Sequence, residues 1–206
     1  MRRIFDMENP FWQGLSVVAD MLMLNLLTLL CSVPVFTMGA AMTAMNDVVI
    51  HITRQEGGGI LKSFGQAFRQ NLKNGCLFGL IVLAAAGLLY FDYLCALAYA
   101  PAFRYGIAAL AFLVLTVSIY TFALLARYEN SLGKTMKNAV MLAVGYFPRT
   151  LAMVCFTVIF WLLGIRYYRV GTPILIMFGF SLPCYVCTLL MRPIFDRMEE
   201  EEDKAE

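Results

Sequence analysis

Charge is scarce in this sequence of 206 residues: 15% are Asp, Glu, Lys or Arg, whereas 61% are hydrophobic. Soluble domains typically carry about 25% charged residues, and one water-soluble core of this size could not bury so much apolar surface. No polar stretch is long enough to form a separate soluble domain. The net charge is only +2, which gives no electrostatic basis for nucleic-acid binding. The scarcity of charge therefore predicts an integral membrane protein.

Motifs of common catalytic sites are also missing. The sequence has no Walker-type phosphate loop, no HExxH and no GxSxG. Its six cysteines all fall inside apolar stretches, where cysteine acts as a small hydrophobic residue. Cys184 and Cys187 form a CxxC that would share one helix face, but a lone pair without a nearby histidine is a weak metal or redox signal. We therefore expect no catalytic residue, no metal and no cofactor, and a protein that is not an enzyme.

Long apolar runs dominate the chain. Five of them are long enough, or nearly so, to cross a bilayer as helices of about 20 residues. These runs are 16–33, 75–99, 104–126, 150–165 and 171–191. The last two are short or interrupted, by Gly164 and Pro183. Acidic residues break the approach to the first run, so we expect a retained helix there rather than a cleaved signal peptide.

Residues 35–53 form a sixth candidate span, although three of their side chains are strongly polar. If this segment crosses, 13 Lys and Arg residues lie on one side of the membrane and 3 on the other; if it does not, the split is 11 against 5. Cytoplasmic loops are enriched in Lys and Arg, so the larger asymmetry favours six spans. The predicted fold is an all-α polytopic transmembrane bundle of three hairpins, 16–53, 75–126 and 150–191, with both termini cytoplasmic. The five-span alternative moves only the N-terminus outside.

Two amphipathic segments, 60–72 and 132–143, connect the hairpins on the cytoplasmic side. In both, apolar residues recur at helical spacing with Lys or Arg between them. One interpretation is a docking surface for a cytoplasmic partner. The interpretation that we favour is a membrane-surface helix with its cations facing anionic lipid. Residues 1–198 then form one transmembrane domain, followed by an acidic tail, 199–206, that should be disordered.

The first hairpin contains the most informative polar residues. Its turn lies near residues 34–39, and positions equally far from the turn lie at similar depth. Counting about eleven residues each way places Asn25 level with Asp47 near mid-bilayer, and Asp20 then lies level with Arg54. The predicted polar seam consists of Asp20, Asn25, Asn46, Asp47, His51 and Arg54.

Two roles are open for this seam. Ionisable groups within spans are costly and usually face the protein interior or a water-filled cavity, so a proton or cation site is one hypothesis. Asp47 and His51 are i,i+4 neighbours, and His51 is the only histidine. The other hypothesis is a hairpin clasp, in which Asn25 pairs with Asn46 or Asp47 and fixes the helix register. We favour the clasp.

The N-terminal third contains distinctive motifs: NPFW at 9–12, Asp20, Asn25, LLCSVPVFTMGAAMTA at 29–44 and SFGQAFRQNLKN at 63–74. Together they resemble the YesL family of bacterial membrane proteins. The family has no established function, so no catalytic residue carries over. Its members are often encoded beside carbohydrate ABC uptake systems. The resemblance therefore implies the bacterial plasma membrane and an accessory role beside sugar ABC transporter subunits.

Two functions follow from these observations. The leading hypothesis is a non-enzymatic membrane protein accessory to a carbohydrate ABC uptake system, with the lipid bilayer and the transporter subunits as its partners. The alternative is a small stand-alone transporter or channel, acting as a homo-oligomer and using the polar seam. Small residues at four-residue spacing, such as Gly75 and Gly79, would let helices pack closely within the chain or between copies.

Overall fold

The computed structural model describes residues 10–54, 59–99, 103–128 and 131–203. Within these ranges the chain forms nine α-helices and no β-strand, which confirms the predicted all-α fold. The helices are α1 (Pro10–Cys31), α2 (Met38–Thr53), α3 (Ile60–Gln70), α4 (Leu72–Tyr99), α5 (Arg104–Arg127), α6 (Leu132–Gly145), α7 (Phe147–Arg166), α8 (Tyr168–Phe178) and α9 (Ser181–Asp203). A short 3-10 turn over Val35–Thr37 joins α1 to α2.

Five segments are long and apolar enough to cross a membrane: those that contain α1, α2, α4, α5 and α7. The segment predicted with least support, 35–53, is one of these five. The doubtful crossing is instead the last one, because α8 and α9 meet at a break with a bend of 59°. Counting this bent pair as one span gives the sixth crossing of the predicted six-span arrangement. The acidic tail, expected to be disordered, is helical as far as Asp203, and 204–206 lie outside the described residues.

Helix α2 lies at the centre of the bundle. Of its apolar window 44% is buried, against 6–33% for the other four single-helix segments, and it packs against α1, α3, α4, α5 and α9. Glycines make its closest approach possible: a Cβ atom on Gly79 of α4 would lie 2.5 Å from the Cα of Gly39. A Cβ atom on Gly75, one turn earlier on α4, would lie 2.8 Å from the Cα of Ala40. The predicted small-residue spacing thus serves packing within the chain.

The two connecting helices, α3 and α6, lie at the same end of the bundle. Helices α4 and α5 are in contact and joined by a short connection, so they run antiparallel. Helix α3 leads from the end of α2 into α4, and α6 leads from the end of α5 into α7. The C-terminal half of α9 reaches this end too, since Arg192 donates a hydrogen bond to the Thr53 carbonyl (3.3 Å). We call it the basic end, because these exposed cations lie on the helices there: Lys62, Arg69, Lys73, Lys134, Lys137, Arg192 and Arg197.

Both connecting helices are packed onto the bundle rather than only onto the membrane surface. Phe64 and Ala67 of α3 are buried in a cluster with residues of α1 and α2. Thr135 of α6 is buried as well, and Ala139 packs in a second cluster with residues of α5. The apolar face of each amphipathic helix is therefore at least partly covered by its own chain, and the basic face stays exposed.

Helix α9 joins the two clusters. Cys184 packs with the α1–α2–α3 cluster, whereas Cys187 packs with the cluster of α5, α6 and α7. Both thiols are free and buried. Although their spacing is that of a CxxC, the two side chains pack as small apolar groups against two different clusters. Within the described ranges no group of three or more His, Cys, Asp or Glu residues could hold a metal ion.

Candidate functional site

The predicted pair on α2 is present. His51 Nε2 lies 3.8 Å from Asp47 Oδ2, and the two side chains are 48% and 24% exposed. Both residues occupy the last two turns of α2, toward the basic end. The pair is therefore accessible from outside the protein core, as a proton or cation site requires and as a fully enclosed clasp would not be.

The remaining residues of the predicted seam lie on α1, on α2 and directly after α2. Asn46 is half-buried, and its Nδ2 donates to the carbonyl of Met42 on its own helix (2.8 Å). Arg54 follows α2 directly, with its backbone N–H bonded to Ile50. Asp20 is partly buried on α1. The pairing of Asp20 with Arg54 stays a prediction.

Asn25 has a different role from the one predicted. Its side chain is fully buried, and its Nδ2 donates to the carbonyl of Ile176 near the end of α8 (2.7 Å). Its Oδ1 accepts hydrogen bonds from the backbone N–H groups of Phe180 (2.9 Å) and Ser181 (3.1 Å), where α9 begins. One amide thus satisfies both sides of the break between α8 and α9. The expected pairing of Asn25 with Asn46 or Asp47 is replaced by these three bonds.

The break itself explains why a polar side chain is needed there. A helix end leaves backbone N–H and C=O groups without intrahelical partners, and in lipid no water satisfies them. Asn carries both a donor and an acceptor on one short side chain, so it can bond to the end of one helix and the start of the next. The sequence placed the interruption at Pro183. In the structure Pro183 lies in the first turn of α9, where proline is tolerated, and the break comes earlier, at residues 179–180.

A second junction, between α6 and α7, is built in the same way and was missed from the sequence. Tyr120 of α5 is buried, and its hydroxyl lies 2.9 Å from Thr150 Oγ1. The Thr150 hydroxyl in turn lies 3.0 Å from the carbonyl of Ala143 and 3.1 Å from that of Tyr146, at the end of α6. Tyr120 of α5 therefore connects, through the Thr150 hydroxyl, to the Ala143 carbonyl near the end of α6.

A repeat in the sequence was also missed. Residues 63–69 read SFGQAFR and residues 131–137 read SLGKTMK, with serine, glycine and a terminal cation at the same places. The two segments lie in and just before α3 and α6. The residues at the fifth place, Ala67 and Thr135, are both buried. The basic end therefore presents two related helices, each with a small side chain against the bundle and cations outside.

Comparison with known proteins shows that part of the chain is similar to one protein family. A family model described as "Protein of unknown function, DUF624" matches residues 21–93, which is 73 of the 206 residues. The matched segment contains α2, α3 and all of the predicted seam except Asp20. No curated protein and no solved structure matches the chain. The family description names no activity, so it assigns no role to any residue.

Proposed function

We propose that the protein is a non-enzymatic, multi-pass protein of the bacterial plasma membrane, accessory to a carbohydrate ABC uptake system, which it contacts through its basic end. The excess of Lys and Arg supports a cytoplasmic location of this end, and with it a cytoplasmic C-terminus. The sequence resemblance to the YesL family supports the bacterial membrane and the link to sugar uptake. The DUF624 match is compatible with this assignment.

The observation that carries the proposal is how the polar groups are distributed. Deep in the bundle most of them bond to backbone: Asn25 to the α8–α9 junction, and the Thr28 and Thr43 hydroxyls to carbonyls of their own helices. Such groups stabilise the fold and leave few donors and acceptors for a permeating solute. Many of the exposed charged groups are instead cations of the basic end. A surface of this kind suits contact with another protein better than passage of a substrate through this chain.

The related helices α3 and α6 form the proposed contact surface. Each is held in place by buried side chains, so its exposed face is preorganised and loses little conformational entropy on binding. Lys62 and Arg69 on α3, and Lys134 and Lys137 on α6, give both faces the same sign of charge. We therefore expect an acidic complementary surface on the transporter subunit.

Site-specific photocrosslinking in native membranes tests this proposal. A crosslinking residue at Gln66, which is exposed on α3, should join the protein to a permease or ATPase subunit of a carbohydrate ABC system. The matched control is Tyr105, which is 82% exposed at the start of α5, at the opposite end. Recovery of the same partner from both positions, or of no transport subunit from Gln66, would contradict the proposal.

A second function, a stand-alone transporter or channel for protons or cations, is favoured by one observation. Asp47 and His51 form a partly exposed pair within a membrane-spanning helix, which is a costly arrangement unless it is used. Asp47→Asn should then abolish flux in proteoliposomes, while the variant accumulates and unfolds like the parent. Asp92→Asn, which removes an exposed carboxylate outside the seam, is the matched control. If Asp47→Asn instead fails to accumulate, the pair serves the fold.

A further inference from the structure

Two buried polar atoms at the basic end have no hydrogen-bond partner within the residues that the structure describes. They are Nη1 of Arg149 and the hydroxyl oxygen of Tyr128. Arg149 lies in the first turn of α7, and Tyr128 directly follows α5. Native proteins rarely leave such groups unpaired, and an exception calls for a ligand, an ion or a water. A buried guanidinium nitrogen without an acceptor is a costly exception because the group carries a full charge.

The surroundings of the two atoms belong to one region of the bundle. Helices α5 and α7 are in contact, and Thr150, next to Arg149, lies 2.9 Å from the hydroxyl of Tyr120 on α5. Tyr128 packs against the same cluster that contains Tyr120. The guanidinium carbon of Arg149 lies 5.7 Å from the centroid of the Tyr146 ring, within the range of a cation–π contact.

A second cation borders this region. The guanidinium carbon of Arg127 lies 4.7 Å from the centroid of the Phe195 ring and 5.6 Å from that of Tyr128. Stacking on aromatic rings holds an arginine in a fixed orientation, which lowers the entropy lost when it binds an anion. Arg127 therefore contacts Tyr128 and Phe195 of α9, and Arg149 lies at the start of α7, which packs against α5.

We propose that Arg149 and Tyr128 bind a phosphate group at the basic end. The guanidinium is purely a donor and a tyrosine hydroxyl can also donate, so the two unpaired groups suit a ligand that accepts hydrogen bonds and carries negative charge. The forked guanidinium matches phosphate geometry in particular. Basic pockets between transmembrane helices at this depth are suited to the phosphate of an anionic lipid, and an inorganic phosphate ion offers the same chemistry.

The test uses the full-length protein, delipidated in mild detergent, with thermal unfolding and native mass spectrometry as readouts. The probes are a phosphatidylglycerol, a phosphatidylcholine with the same acyl chains, and inorganic phosphate. The variants are Arg149→Gln, Arg149→Lys and Tyr128→Phe. Arg166→Gln is the matched control, because Arg166 is an exposed arginine at the opposite end of the same helix.

Phosphatidylglycerol should bind and raise the unfolding temperature of the parent and of Arg166→Gln. Loss of a charge-assisted hydrogen bond should weaken binding by about tenfold to a hundredfold in Arg149→Gln, and less in Arg149→Lys. Tyr128→Phe gives an independent check that does not depend on charge. This variant should reduce lipid binding a few-fold. If the hydroxyl were not used in binding, its removal would instead increase stability and leave binding unchanged.

The probes separate the sources of the phosphate. Stabilisation by phosphatidylglycerol alone identifies a lipid headgroup, and equal stabilisation by inorganic phosphate identifies a free anion. Equal binding by Arg149→Gln and Arg166→Gln would overturn the proposal. A second result would also overturn the proposal: Glu129→Gln and Arg149→Gln lose the same stability, and neither loss depends on phosphate. Glu129, outside the described residues, would then be the partner of the arginine.

Discussion

Replacing Asn25 by alanine removes the one side chain that bonds to both sides of the α8–α9 break. Three hydrogen bonds are lost: the donation to the Ile176 carbonyl and the two accepted from Phe180 and Ser181. The methyl group of alanine cannot form these hydrogen bonds. Because the site is fully buried, water does not take the place of the amide either. The variant should therefore be destabilised at the junction itself, and α9 should lose its fixed orientation relative to α8.

The size of the effect follows from the number of bonds. Hydrogen bonds between transmembrane helices contribute about 0.6 kcal/mol on average and at most about 1.7. Three of them give a loss of about 2 to 5 kcal/mol in the free energy of unfolding. Asn46→Ala is the matched control, because it deletes the same amide from a half-buried position with a single bond to its own helix. That variant should lose less than about 1 kcal/mol.

The assay is reversible unfolding in mixed micelles with increasing SDS, followed by far-UV circular dichroism and by the fluorescence of Trp161, whose ring packs against Phe180 at 5.4 Å. The fluorescence transition should shift more than the dichroism transition, since the indole reports on the junction directly. The free energies of unfolding of Asn25→Ala and Asn46→Ala should therefore differ clearly. A difference below about 0.5 kcal/mol, less than one average hydrogen bond between transmembrane helices, would show that the amide does not stabilise the break.

Three further predictions concern packing, the second junction and topology. Gly79→Ala should cost about 1 to 3 kcal/mol by overpacking against the α2 backbone, whereas Gly87→Ala, which faces open space, should be neutral or stabilising by up to about 1 kcal/mol in the same SDS titration. Tyr120→Phe should lose about 1 kcal/mol, because only its bond to the neighbouring threonine disappears; no loss would show that the hydroxyl is dispensable. In a cysteine-free background in intact cells, a membrane-impermeant maleimide should label Tyr105→Cys and not Gln66→Cys, and the reverse pattern would place the basic end outside.

The helical bundle could be predicted because its signals are local. Apolar length defined the spans, including 35–53, since lipid imposes the same requirement on each helix regardless of its neighbours. The approach of α2 to α4 at Gly75 and Gly79 was also visible as a spacing of small residues. The i,i+4 contact between Asp47 and His51 needed nothing beyond helical geometry. These features depend on one helix or on one pair of positions at known separation.

The partners of Asn25 could not be predicted in the same way. Counting residues from the turn gives the depth of a side chain in the bilayer but not the direction in which it projects around the helix axis. Asn25 does lie at the level of α2 residues, yet its amide bonds to residues about 150 positions later in the chain. No proline lies at residues 179–180, so proline does not indicate the position of the break in the sequence. Its location depends on Asn25 being available to satisfy the exposed backbone groups, which is a tertiary effect.

The polar residues of this bundle fall into two groups, according to whether their hydrogen-bond partners lie within the chain. This difference leads to one prediction for four residues. Asn25 and Tyr120 bond to groups within the chain, so their removal should lower stability by the same amount in any lipid. Arg149 and Tyr128 have buried atoms with no partner in the described part of the chain, so their effect should depend on what the membrane supplies. In an uncharged lipid Tyr128→Phe should not destabilise the protein, and in an anionic lipid it should. A lipid-independent loss at all four positions would mean that the basic end, like the two junctions, is satisfied by the chain alone.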